Sequence, residues 1–308
     1  MLRRPDKQGG KCMKLASFLM ANGSEHIAAV VGDSLVDLSR LFASTDMLFF
    51  IENIEAVNES LKNETNEQLA LNTLKLQSPL KRPGKIICLA GNYREHITES
   101  GFVAPRSNDV ITQQLFLKPS STLTGNDDEI LIGKHNVKVG WETELAVVIG
   151  KRGRNIDVES AYEHVFGYTI LNDVSERGLN STIENRHKRE MDRFLDWLAG
   201  KWFDTFAPCG PWIVTADEMP DPQDLEIKLT INGEVRQQGN TRDMIFSIPE
   251  QIAYASSIMT LEPGDIISTG TPAGAGVGGT RTSLEDGDTL ICEIEKIGTL
   301  RNRVRYVE

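Results

Sequence analysis

"GWETELAVVIGK", residues 140–151, joins a core strand to a pair of carboxylates. Leu145-Ala146-Val147-Val148-Ile149 is a continuous apolar run, as a strand buried on both faces requires. Glu142 and Glu144 stand just ahead of it. Side chains alternate along a strand, so the two carboxylates point to the same face. Like charges at the mouth of a buried strand repel, and two resolutions are open. Either the strand end lies in solvent, or a divalent cation sits between the carboxylates and both become ligands. The second needs a third oxygen nearby, and "TILNDVSER" (169–177) offers Asp173 at the end of another apolar run. With no His or Cys among these donors, Mg²⁺ or Mn²⁺ is favoured over zinc.

Working outward, most of the chain beyond Lys85 reads as strands: "KIICLAG" (85–91), "EILI" (129–132), "GYTILND" (167–173), "GDIIST" (264–269) and "LICEIE" (290–295). "LEIKLTINGEVRQQG" (225–239) is a hairpin, with Asn232-Gly233 suited to the positive φ angles of a type I′ turn. Helices are expected at "DVESAYEHVF" (157–166), capped by Asp157, and at "SIPEQIAYASSIM" (247–259), where Ser247 and Glu250 have capping-box spacing. Strands and helices alternate too irregularly for a doubly wound βαβ chain, so the expected class is α+β, mainly β, with a rolled or sandwiched β domain. Upstream, residues 13–41 read as short β runs broken at Asn22-Gly23 and Gly32-Asp33. From Thr45 to about Leu80 the pattern is helical, with Ile51, Ile54, Val57 and Leu61 in register. "SPLKRPGK" (78–85) is a break. The expected layout is a disordered or non-native leader (1–12), a small N-terminal β/α domain (13–80) and a larger domain (81–308).

Composition removes several classes. The 308 residues are 40% hydrophobic and 25% charged, ordinary for a soluble globular chain. A net charge of −11 opposes nucleic-acid binding, and no apolar run approaches the about 18 residues of a membrane span. The four cysteines (Cys12, Cys88, Cys209, Cys292) form no CxxC pair, and two lie in apolar runs. A reduced, disulfide-free cytoplasmic protein is expected.

Two further constellations carry chemistry. In "YREHITES" (93–100), His96 and Glu99 are three apart and share one side of a helical turn. A carboxylate that polarises an imidazole makes a general base, although a surface His–Glu pair is the plainer alternative. Gly274, Gly276 and Gly279 satisfy GxGxxG after a strand, but the polar "TRTSLEDGDTL" (280–290) follows instead of a helix. Without a helix N-terminus the dinucleotide reading fails.

Taken together, "GNYREHITESG" (91–101), "FLKP" (116–119), "WETELAVVIGK" (141–151), "FGYTILNDVSER" (166–177), "KWFDTFAPCGPWIV" (201–214), "DMIFSIPEQIAYAS" (243–256) and "LEPGDIISTGTPAGAGVG" (261–278) make the chain resemble the fumarylacetoacetate hydrolase family over nearly all of residues 85–308. The stretch from Met13 is similar to the small N-terminal domain many members carry. The resemblance implies a mixed β-sandwich roll around an acidic Mg²⁺ or Mn²⁺ site, with Glu142, Glu144 and Asp173 as ligands. It implies a His96–Glu99 dyad like that of the acylpyruvate hydrolase and oxaloacetate decarboxylase branch. It also implies Lys201 as the lysine that stabilises an oxyanion, and substrate contacts from Arg177, Asn180, Thr271 and Lys118. Asn180 stands where that branch usually has a glutamine. The segment 181–201 is longer than in small members, as in hydrolases of diketo sugar acids. Met191, Leu195 and Leu198 predict a helical insert over the pocket, and His187 is expected in solvent.

The implied activity is metal-dependent hydrolysis of a C–C bond in a short 2,4-dioxo acid, an acylpyruvate or a diketo-deoxy sugar acid, with release of pyruvate. Oxaloacetate decarboxylation and 2-oxo or 2-hydroxy-dienoate isomerisation or tautomerisation are the close alternatives, and a non-catalytic metal- or metabolite-binding protein the alternative from another class. The partners implied are a small acid substrate and a second copy in a homodimer, without nucleic acid or membrane.

Overall fold

The strand Thr143–Ile149 is buried at all seven positions and lies inside a twelve-stranded sheet. This computed structural model describes residues 13–62, 68–106, 109–276 and 282–308; the leader 1–12 and Gly279 lie outside them. Alternation along the strand assigns its side chains to two cores. Leu145, Val147 and Ile149 join one apolar cluster, while Ala146 and Val148 join another. Glu142 and Glu144 have the parity of the second set, so they enter the side of the sheet where Ala146 and Val148 pack.

Antiparallel neighbours flank this strand. Val165–Asn172 lies on one side, with Thr143 opposite Asn172, and Ile266–Ser268 lies on the other. Ile86–Ala90 runs parallel to Ile266–Ser268, and Gln114–Lys118 pairs with it antiparallel. In the other direction Val165–Asn172 pairs with Ala207–Thr215, which pairs with Lys14–Leu19. Glu25–Val31, Ser34–Asp37 and Gln68–Ala70 then continue the same sheet. A five-stranded sheet of Glu234–Asn240, Glu226–Ile231, Thr289–Ile294, Gly298–Tyr306 and Glu129–Ile132 supplies the facing layer. Its Ile227, Leu229, Cys292 and Val304 share the first core with Leu145 and Val147. Residues of the N-terminal helices, Met47, Phe50, Ile51 and Val57, share the second with Ala146 and Val148.

The mainly β, mixed architecture is the one expected. The Asn232-Gly233 turn has both φ angles positive, and Ile248–Ile258 carries the Ser247–Glu250 capping box. Three local expectations are corrected. The helical reading of 45–80 holds for Met47–Glu52 and Ile54–Ser60, after which come the short strands Gln68–Ala70 and Lys75–Gln77. The helix expected over 157–166 is a 3₁₀ helix, Val158–His164, and the Asp157 side chain makes no capping bond. In the insert, the helix is confined to Asp192–Ala199. Met191 and Leu195 are 55% and 47% exposed, and the residues that pack inward are Trp197 and Leu198. His187 is exposed, as expected. No helix among the described residues is long and apolar enough to cross a membrane.

Candidate metal centre

Where the strands Thr143–Ile149 and Val165–Asn172 meet, side chains and backbone lock their ends together. The Glu142 N–H donates to Asn172 Oδ1 at 2.9 Å, and the Asp173 N–H donates to the Glu142 carbonyl at 2.8 Å. One carboxylate oxygen from each of Glu142, Glu144 and Asp173 then lies within 4.8 Å of the others, and all three residues are buried. The pair quoted at the outset therefore does not end in solvent.

Cations hold two of the three. Lys201 Nζ donates to Glu142 Oε2 at 2.9 Å and to Asp173 Oδ2 at 2.6 Å. Lys118 Nζ donates to Asp173 Oδ1 at 2.5 Å and to the Val174 carbonyl at 3.2 Å. Arg177 Nη2 donates to Glu142 Oε1 at 2.5 Å. Burial pushes the Glu142 carboxyl up, but Lys201, Arg177 and His96 outweigh it and hold it well below the usual range. Burial likewise favours a neutral Lys201, yet Asp173 and Glu142 raise it to about 12. The Lys201 ammonium also sits 5.2 Å from the Phe116 ring and 5.7 Å from that of Trp197, so the insert helix reaches the centre through an aromatic face.

Glu144 differs. Its Oε2 accepts from Ser268 Oγ at 2.5 Å and from the Gly270 N–H at 2.9 Å, and no cationic side chain among the described residues lies at ion-pair distance. Gly270 has φ +92°, and a Cβ there would stand 2.8 Å from Asn92 Cβ, so glycine alone lets this N–H approach. Burial, followed by the charges of Asp173 and Glu142, raises the Glu144 carboxyl to about 8. Glu144 is thus the carboxylate of the three that has no cation beside it among the described residues. Three buried carboxylate oxygens within 4.8 Å of one another, with no His or Cys among them, fit a hard divalent cation.

The other expected residues are placed as follows. His96 and Glu99 share the helix Arg94–Glu99, with His96 Nδ1 3.8 Å from Glu99 Oε2, beyond hydrogen-bond reach. Glu99 Oε2 accepts from the Gly274 N–H at 2.7 Å, and the buried His96 Nδ1 has no partner. Burial pushes the Glu99 carboxyl up, but His96 and the Gly274 N–H bring it below its ordinary value. The Thr271 hydroxyl donates to the Thr143 carbonyl and accepts from Gln237 Nε2, both at 2.8 Å. Asn180 Nδ2 donates to Asp196 Oδ1 at 2.7 Å, tying its loop to the insert helix rather than standing free. Sequence reasoning missed Asn172, Gln237, Ser268 and Trp197. Ser268 and Asn172 lie within quoted strands, but no local pattern marks Gln237.

The model of "Fumarylacetoacetate (FAA) hydrolase C-terminal" matches residues 85–305. The chain belongs to the fumarylacetoacetate hydrolase family. Among relatives of this family member, the 2,4-didehydro-3-deoxy-L-rhamnonate hydrolase of Sphingomonas sp. is 41% identical over 228 residues, covering 73% of this chain and 75% of the relative. The mitochondrial oxaloacetate tautomerase fahd2 of Xenopus laevis is 37% identical over 279 residues, covering 89% and 83%. The structure of maleylpyruvate hydrolase from Sphingobium sp. SYK-6 in complex with manganese (II) ion and pyruvate superposes with a TM-score of 0.77 at 32% identity, covering 96% of this chain and 100% of that one.

Proposed function

We propose that this protein is a divalent-metal-dependent hydrolase that cleaves a C–C bond in a short 2,4-dioxo acid, an acylpyruvate or diketo-deoxy sugar acid, and releases pyruvate. The buried Glu142–Glu144–Asp173 cluster carries the reading, and likeness to a hydrolase structure holding manganese and pyruvate supports it. A Mg²⁺ or Mn²⁺ ion held by these three residues would supply a Lewis acid for the 2-oxo acid and for the enolate that departs. Lys201 and Arg177 keep Glu142 ionised, and Lys118 and Lys201 hold Asp173 in place. Arg177 also has a buried Nε without a partner, a donor suited to a substrate carboxylate. His96 takes the proton from water: Glu99 stands on its Nδ1 side, which leaves Nε2 to act as base. Both side chains rise from one helical turn, so a side-chain rotation is enough to close their 3.8 Å separation, as catalytic contacts tighten on binding. Lys201, whose ammonium bridges Glu142 and Asp173, would stabilise the oxyanion of the attacked 4-carbonyl.

Pyruvate release from acetylpyruvate, a diketo-deoxy sugar acid and oxaloacetate, with Mn²⁺ and with chelator, tests the proposal. His96→Ala is expected to lower diketo-acid turnover about 10²–10⁴-fold, the usual range for a general base, while Mn²⁺ still binds. Keto–enol interconversion of oxaloacetate without pyruvate release would favour tautomerase, the activity named for the Xenopus laevis relative. Pyruvate from oxaloacetate alone would make it a decarboxylase.

A further inference from the structure

Gln237 belongs to the strand Glu234–Asn240 of the five-stranded sheet, and it is fully buried. Its side chain crosses to the other sheet. Oε1 accepts from the Thr143 N–H at 3.0 Å, while Nε2 donates to Thr271 Oγ1 at 2.8 Å and to the Pro272 carbonyl at 2.9 Å. Thr271 Oγ1 in turn donates to the Thr143 carbonyl at 2.8 Å. Both backbone groups of Thr143, the residue between Glu142 and Glu144, are thus closed into one ring with Gln237 and Thr271.

The two layers touch closely here. A Cβ on Gly239 would lie 2.6 Å from Pro272 Cβ, and one on Gly274 would lie 1.9 Å from the Arg236 carbonyl oxygen. The hairpin strand is therefore pressed against the loop that follows Ser268, with Gln237 as the polar link between them. An amide is the side chain that suits the link, because one end supplies an acceptor and the other two donors. An apolar residue of the same length would fill the space but leave the Thr143 N–H and the Pro272 carbonyl unpaired.

We propose that Gln237 is a positioning residue for both halves of the site. Through Thr143 it fixes the spacing of Glu142 and Glu144 for the cation, and through Thr271 and Pro272 it fixes the loop that faces the substrate. The second half rests on the hydrolase reading; the first does not. Partners that orient ligands from behind are worth about 10–100-fold in metal affinity.

The test compares Gln237→Met and Thr271→Val in the full chain, using Mn²⁺ titration by calorimetry, thermal melting, and steady-state kinetics on the diketo acid that the wild type turns over. Gln237→Met is expected to stay folded, to bind Mn²⁺ at least about tenfold more weakly and to raise KM. Thr271→Val leaves the Gln237–Thr143 bond in place, so it is expected to raise KM while Mn²⁺ affinity stays within about twofold, under half the free energy of a tenfold change. A folded Gln237→Met that binds Mn²⁺ as the wild type does would overturn the proposal. If Gln237→Met does not fold, Thr271→Val decides: lost Mn²⁺ affinity with unchanged KM overturns it. A wild type without turnover removes the hydrolase reading alone, since the Mn²⁺ comparison still stands.

Discussion

Replacing Glu144 by glutamine is expected to weaken Mn²⁺ binding at least about a hundredfold, beyond the loss seen for outer partners, while the chelated protein melts at a higher temperature than the wild type at pH 8. The two effects have one cause. Glu144 has no ion-pair partner among the described residues, whereas Glu142 and Asp173 are each held by cations. Burial and the charges of Asp173 and Glu142 raise its carboxyl to about 8 from an ordinary 4.5. The folded, metal-free protein therefore binds a proton that the unfolded chain has already lost. Stability from that proton is complete below about pH 4.5, and it disappears as the pH rises through about 8. Glutamine keeps an oxygen to accept from Ser268 and Gly270 and carries no charge, so the variant loses this pH dependence. A bound divalent ion should flatten the wild-type curve in the same way. Melting curves from pH 5 to 8, with chelator and with Mn²⁺, give the comparison; a variant that melts below the wild type at pH 8 in chelator would sink the argument.

Lys118→Met should cost about 3 kcal/mol of stability, the lower end for breaking a buried ion pair. The Lys118 side chain is wholly buried, and its ammonium lies 2.5 Å from Asp173 Oδ1. Methionine fills the same path but leaves Asp173 with Lys201 as its remaining ionic partner. At roughly 2–4 °C per kcal/mol, the melting temperature should fall by about 6–12 °C. Added Mn²⁺ should restore part of it by neutralising the carboxylates. The variant also separates two roles for this lysine. A substrate contact would raise KM with the melting temperature unchanged; a buried counter-ion moves the melting temperature first.

Some of this centre could be read from sequence because its logic is local. Period-two alternation put Glu142 and Glu144 on one face, and Asp173 closed an apolar strand. His96 and Glu99 needed only helical spacing. The lysines could not be placed this way. Lys118 meets Asp173 across 55 residues, and Gln237 meets Thr143 across 94. Such contacts follow from strand order, which leaves no periodic trace in the chain. The same limit explains the errors in fold. Helical spacing from Ile51 to Leu61 was real, but nothing in it marked Ser60 as the last helical residue. In the insert, Met191 and Leu195 share a spacing with Leu198, yet spacing cannot say whether a face meets a core. Trp197, which does, was decided by Phe116, 5.1 Å away on the strand Gln114–Lys118.

The pairing of Lys14–Leu19 with Ala207–Thr215 has a consequence for biosynthesis. Lys14 lies opposite Val214, and the Met13 carbonyl accepts from the Thr215 N–H. At about 5–20 residues per second, a ribosome needs roughly 10–40 s to make the partner strand after the first one emerges. Ser17–Leu19 can pair with Lys75–Gln77 early, but throughout that interval the Lys14–Leu15 end of the strand lacks its partner, beside a Leu15 buried in the finished protein. An unpaired strand end is where other chains can add, so the stretch of backbone open to mispairing during synthesis lies near the start of the chain, not near its end.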